Sequence, residues 1–315
     1  MEFSPLGEHW KLLTPVNIQI KRAWPWSRSI QKIVDSGEPL PRQSSNLMIA
    51  SDYAGDYSRA SHRVYSFLVI KSGVPQWLAA TQEARRKFLS RGRTMSYKRL
   101  DDSQRQQALV PYLLGASRLD GHLVTLAVDK RKKWLSTSPE AVSDIKKAFG
   151  LTASWNPRSL EEMMRKVQFF AILASIWSGP LTNITWITDE DEFVINDRRH
   201  DDALHMAGRM SSAYTPQQMG ILRLNTTGQD PDVTNFEDLC AIPDLAAGML
   251  SEVSTGLPHG LSWQNGGLEA LDGGLSQKAG IIADWFWDQD MTLRKTFIVI
   301  DAEGDRYGVR KVSMM

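Results

Sequence analysis

The chain is 315 residues long and 42% hydrophobic, enough to bury a large core in one elaborated domain or two small ones. Its 37 Lys and Arg nearly cancel its 36 Asp and Glu, so total charge gives no case for a polyanionic partner, and local patches must carry any such case. The single cysteine, Cys240, excludes an intramolecular disulfide framework and a thiol-rich zinc site, and no window reaches the ~18 to 20 apolar residues of a membrane span.

The opening "MEFSPLGEHWKLL" lacks the basic segment and apolar run of a secretory leader, so a soluble cytoplasmic protein is expected. Residues 1–46 carry Pro, Gly and Ser in "PWSRS" and "GEPLPRQSSN" and read as an irregular arm. Regular structure begins at "LMIAS" and, after a turn through Gly55 and Asp56, continues in "RVYSFLVIK"; both suit a pleated surface and together predict a hairpin. A helical insertion follows over 75–120, as two helices, Trp77 to Ser90 and Asp102 to Arg118, separated by the basic stretch "SRGRTMSYKR". "GHLVTLAVDK" is a third strand ending in Asp129.

Strands and helices then alternate. "SPEAVSDIKKAFG" reads as a helix opening on Ser138 with Pro139 at its first position. In "NPRSLEEMMRKVQFFAILASIW", Ser159 and Glu162 have the spacing of a capping box, and Met163, Val167, Phe170, Leu173 and Ala174 mark a buried helical face. "NITWITD" is a strand ending in Asp189, "DDALHMAGRMSSA" a helix, "GILRLN" a strand and "NFEDLCAIPDLAAGMLSEV" a helix. The tail adds a helix, "SQKAGIIADWFWDQ", and a hairpin turned at Glu303 and Gly304. The order predicts an α/β fold with a mixed five-stranded sheet, in which a core over 47–252 is flanked by an arm (1–46) and a C-terminal extension (253–315) packed on it. With no polar linker between the halves, one three-layer domain is expected rather than two.

Three acids occupy comparable places: Asp52 ends the first strand, Asp189 ends the fourth, and Asp244 lies in the last core helix. Ligands of open α/β sheets collect beyond the carboxyl ends of strands. An acid among Ile242, Leu245, Ala246 and Ala247 either faces solvent, caps a helix restart, or is paired or bound to a cation.

The run strand–strand–insertion–strand–helix–strand–helix–strand–helix, with these three acids, is similar to the ribonuclease H-like, or retroviral-integrase-like, superfamily. More narrowly it resembles the bacterial family catalogued as domain of unknown function 3800. The features carrying the resemblance are the turn Asp52-Tyr53-Ala54-Gly55-Asp56, the aromatic strand Tyr65 to Ile70, the Lys motif Ser96-Tyr97-Lys98, Asp189-Glu190 at a strand end, and Pro243-Asp244-Leu245-Ala246-Ala247-Gly248 on a helix. They span about residues 46–252. The chain departs from the family at Tyr53 and Ala54, where Glu-Ser is usual, and at Met95, where an acid usually precedes the Lys motif. A further helical carboxylate of the superfamily finds a match in Glu161 or Glu162, which the capping position explains equally well.

The resemblance implies a nuclease cutting DNA or RNA with Mg²⁺ or Mn²⁺. In it, Asp52 bridges two ions ~3.5 to 4 Å apart, Asp189 and Asp244 bind one each, and Lys98 meets a phosphate oxygen. The alternative is a catalytically diverged binding or assembly component of a bacterial defence or mobile-element system.

Other features leave two readings each. The runs "EARRKFLSRGRTMSYKR" and "DKRKKWL" are solvated faces or nucleic-acid contacts; Arg131, Lys132 and Lys133 are the stronger candidates, because they follow a strand end on the edge where the acids would lie. His200 and His205 are five residues apart, which does not suit zinc on a helix face, and His200 is expected at the surface. The Trp-rich "WPW" and "DWFWDQD" either pin the extensions to the core or serve a protein partner or homo-oligomer. No phosphate-loop, dinucleotide or nucleophile-elbow motif is present.

Overall fold

A computed structural model describes residues 24, 26–35, 44–71, 75–89, 93–215, 218–229, 235–256, 275–303 and 306–312. Residues 1–23 of the expected arm, residues 257–274 of the expected extension and the turn at Gly304 lie outside them.

Among the described residues the order is α1 (Trp26–Asp35), β1 (Ser44–Ala54), β2 (His62–Lys71), α2 (Pro75–Phe88), α3 (Ser103–Ala116), β3 (Gly121–Asp129), α4 (Val142–Phe149) and α5 (Pro157–Trp177). It continues with β4 (Ser178–Thr188), α6 (Asp197–Tyr214), β5 (Leu222–Thr226), α7 (Asn235–Gly256), α8 (Gln277–Trp287), β6 (Arg294–Glu303) and β7 (Arg306–Val312). The mixed sheet has seven strands rather than the expected five, hydrogen-bonded in the order β5–β4–β1–β2–β3–β6–β7. The terminal hairpin is therefore part of the sheet and not an extension packed on it. All nine residues of β3 are buried, so both its edges and both its faces need cover, and β6 supplies one edge by parallel pairing from His122↔Arg294 to Val128↔Ile300.

The chain divides into two compact units, where one domain was expected: Met1–Ile49 with Lys133–Gly228, and Ala50–Lys132 with Gln229–Met315. The chain passes between them inside β1 and at Lys132–Lys133 and Gly228–Gln229, so no linker composition marks the boundary.

In the first unit β4 and β5 pair in parallel, α5 packs on α6, and α1 packs on α5. Part of the expected irregular arm is thus a helix. Trp26 is 1% exposed, meets Phe169 edge to face, and donates its indole N–H to the Leu135 carbonyl. Trp24 donates its indole N–H to the Ser136 carbonyl, so Trp24 and Trp26 hold α1 to its own unit. The start of α5 also differs from expectation: Asn156 caps it by accepting the Ser159 N–H, and Pro157 takes the first turn. Neither Ser159 nor Glu162 forms the expected capping box. The helix expected to open on Ser138 begins at Val142, because Ser138 closes a separate turn by accepting the Ala141 N–H.

In the second unit β2 pairs antiparallel with β3 and β6 antiparallel with β7. Helix α7 packs on β2 and α8, and α2 packs on α3. Gly55, at φ 87°, shapes the turn out of β1: a Cβ there would overlap the His62 carbonyl. Among the described residues no helix is long and apolar enough to cross a membrane.

Candidate functional site

The three expected acids have distinct surroundings. Asp52, half-buried in β1, accepts its neighbour's N–H, that of Tyr53, at 2.5 Å. Asp189 follows the end of β4, is exposed, and accepts the Glu190 N–H and the Thr227 hydroxyl, both at 2.8 Å. Asp244 lies within one unbroken helix, α7, which carries Pro243 internally, so it caps no restart. It is half-buried in a stretch whose neighbours Ile242 and Leu245 to Leu250 are buried, and its Oδ2 accepts the backbone N–H of Tyr97 at 2.7 Å.

That bond brings together two motifs 147 residues apart. Tyr97 opens the short 3₁₀ turn Tyr97–Arg99, its ring rests where a Cβ on Gly248 would stand, and its hydroxyl donates to Glu252 at 2.5 Å. Burial first, and then the Glu252 carboxylate, push the Tyr97 phenol well above its ordinary range. Lys98, beside it, is exposed. The turn after β1 reaches the same helix, with the Tyr57 hydroxyl 3.3 Å from those of Ser251 and Thr255.

The basic candidates are partly committed. Arg131 folds back on Asp129, its Nε 2.9 Å and its terminal nitrogen 2.5 Å from Oδ2. The Lys132 ammonium sits 5.7 Å from the Tyr307 ring centre, and Lys130 lies 5.8 Å from that of exposed Tyr57. Lys133 is exposed, and its carbonyl accepts from Arg165. His200, expected at the surface, is buried and bonded through Nε2 to the Leu224 carbonyl, tying α6 to β5. Trp285 of "DWFWDQD" is buried and donates to the Ser117 hydroxyl.

Two buried carboxylates organise loops of the first unit. Glu161 accepts the backbone N–H groups of Leu135, Ser136 and Thr137 and, at 2.5 Å, the Nε–H of Arg165. Asp202 accepts those of Thr152 and Ala153 and the indole N–H of Trp155. Glu161, a candidate fourth ligand by sequence, is thereby accounted for as a loop anchor.

Among the described residues one group of three could hold a metal ion, and it contains none of the expected acids: His62, Asp129 and Asp301, each with a donor atom within 4.8 Å of the others. Register builds it. His62 at the start of β2 stands opposite Asp129 at the end of β3, and Val128 stands beside Ile300, so Asp129 and Asp301 follow in a lateral row. His62 Nε2 is 3.6 Å from Asp301 Oδ1, while Arg310 holds Asp301 Oδ2 through Nε at 3.0 Å. Burial alone would raise both carboxyls, but Arg131 and the Ala302 N–H hold Asp129 below its ordinary value, and Arg310 does the same for Asp301. In the sequence Asp129 stood out as a strand-terminal acid. His62 and Asp301 gave no local signal, because their meeting depends on the pairing of three strands 62, 129 and 301 residues along the chain. No family model, curated protein or solved structure matches the chain.

Proposed function

We propose that the chain is a metal-dependent phosphodiesterase acting on DNA or RNA, of ribonuclease H-like architecture and most like the bacterial domain-of-unknown-function 3800 family. The observation that carries this reading is the approach of its motifs to α7: Asp244 bonded to Tyr97 beside Lys98, Gly248 accommodating the Tyr97 ring, and Tyr57 of the first turn at Ser251. The order from β1 through α7 is also the one on which the resemblance rests.

Carboxylate oxygens are the donors that Mg²⁺ and Mn²⁺ prefer, and a half-buried acid in an otherwise buried helical stretch suits that use. The resemblance assigns the ions to Asp52, Asp189 and Asp244, and when bound they would supply Lewis-acid activation of water and of the phosphate. Lys98 would neutralise a non-bridging phosphate oxygen, and Arg131, Lys132 and Lys133 would position the strand through its phosphates.

A second reading, a diverged nucleic-acid-binding or assembly component, is favoured by one departure from the family. Tyr53, where an acid is usual, bonds Ser51 at 2.8 Å and packs edge to face on Tyr65 and Phe67, a purely structural use. The deciding measurement is cleavage of labelled single-stranded, duplex and hybrid substrates with Mg²⁺ or Mn²⁺. The enzyme reading expects cleavage that EDTA stops and that Asp52→Asn or Asp189→Asn lowers by at least ~100-fold with an unchanged circular dichroism spectrum. If the wild type cuts nothing with either metal but binds nucleic acid in a salt-sensitive way, the second reading replaces it.

A further inference from the structure

From the row His62–Asp129–Asp301 we infer a second metal site, for a borderline divalent ion of the zinc class, independent of the phosphodiesterase reading. The imidazole is the deciding group. Ser61 Oγ donates its proton to the Ser254 carbonyl at 2.6 Å, so toward His62 Nδ1, 2.9 Å away, it can only accept. Nδ1 therefore carries the ring hydrogen, and in the neutral ring Nε2 presents a bare lone pair. His62 is 8% exposed, and this buried Nε2 has no hydrogen-bond partner. It faces carboxylate oxygens at Asp301, an arrangement of lone pair against negative charge that a cation between them relieves.

The spacing suits a metal better than a hydrogen bond. At 3.6 Å, Nε2 and Asp301 Oδ1 are too far apart to share a proton well. Bonds of about 2.0 to 2.2 Å to tetrahedral zinc separate neighbouring donors by roughly 3.4 Å. The surroundings match a ligand's supporting groups. Ser61 orients the ring through its other nitrogen, and Arg131 and Arg310 hold the two carboxylates. Two carboxylates face the ion inside the row, and the Arg131 and Arg310 side chains, 73% and 33% exposed, oppose it from the solvent side. One nitrogen with two carboxylate oxygens selects zinc, cobalt or manganese over the all-oxygen preference of magnesium and calcium. Three protein donors leave a position open to water.

The test uses the full chain, stripped with a chelator and titrated with Zn²⁺ by calorimetry and with Co²⁺ by visible absorption. Wild type is expected to take up one equivalent at this row and to give a Co²⁺ ligand-field band. His62→Gln and Asp301→Asn each should weaken binding at least ~10-fold, and Ser61→Ala by about 10-fold through loss of ring orientation. Asp52→Asn should leave the zinc equivalent intact, whether or not it affects cleavage. Folding of each variant is checked by circular dichroism. If His62→Gln does not fold, the decision passes to Ser61→Ala and Asp301→Asn. No uptake by folded wild type, or uptake that the folded variants leave unchanged, overturns the site.

Discussion

His122 shows how burial reaches a measurable property through one side chain. It lies in β3 with Nε2 2.8 Å from the Thr296 hydroxyl of β6, and burial first, then Arg294 and Lys311, push its pKa down from 6.5 to about 3. The unfolded chain binds a proton near pH 6.5 that the folded chain refuses until about pH 3. Between those values the unfolded state holds more protons, so stability falls as pH falls, by up to about 1.4 kcal/mol per pH unit. His122→Gln keeps a neutral polar group at Thr296. Its urea midpoint should change less than that of wild type between pH 7 and pH 4, and parallel curves would refute the assignment. At this scale the sequence was least legible. Glu161 looked like a cap or a metal ligand because only its own helix was visible. Its partners, the N–H groups of residues 135–137, belong to a loop that no local pattern brings to it.

Elements were legible where one pattern dominates. The apolar runs of β1, β2 and β3 and the helical insertion stand close to where the sequence places them. Helix starts were less so. The Asn-Pro pair at 156–157 competes with Ser159 for the cap, and proline's fixed φ places the first turn earlier. In α7 the sequence carries an explanation that needed the structure. Gly248 belongs to the stretch singled out for Asp244, and its lack of a side chain lets the Tyr97 ring reach the helix. Gly248→Ala should therefore destabilise the protein by about 1 to 3 kcal/mol, read from chemical denaturation, although alanine favours helices. Paired with Tyr97→Ala, the substitution should lose most of that penalty. Full additivity of the two effects would show that the ring is not what the methyl meets.

At the scale of the whole molecule, the mixed α/β sheet was legible and its strand count was not. The terminal hairpin read as an accessory because nothing in "TFIVIDAEG" says which strand it joins. The reason lies in β3, whose unbroken burial demands a partner on each edge. A chain lacking β6 and β7 leaves the β3 edge unpaired. It is expected to shift toward larger species than the full chain on size-exclusion chromatography, whereas a truncated chain with no such shift and an unchanged circular dichroism spectrum would contradict this role for the hairpin. The row of His62, Asp129 and Asp301 would lose one donor in the same deletion, because β6 carries Asp301.

The position of β7 at one end of the strand order has a further consequence. A terminal strand offers unpaired backbone groups to any other extended chain, including a second molecule of the same protein. Here that strand reads "RYGVRKV", with Arg306 and Lys311 exposed and Arg310 half-buried. Antiparallel addition of another β7 would crowd the three cations of each strand along one seam. The cations Arg306, Arg310 and Lys311 thus guard this end of the sheet against edge-to-edge self-association.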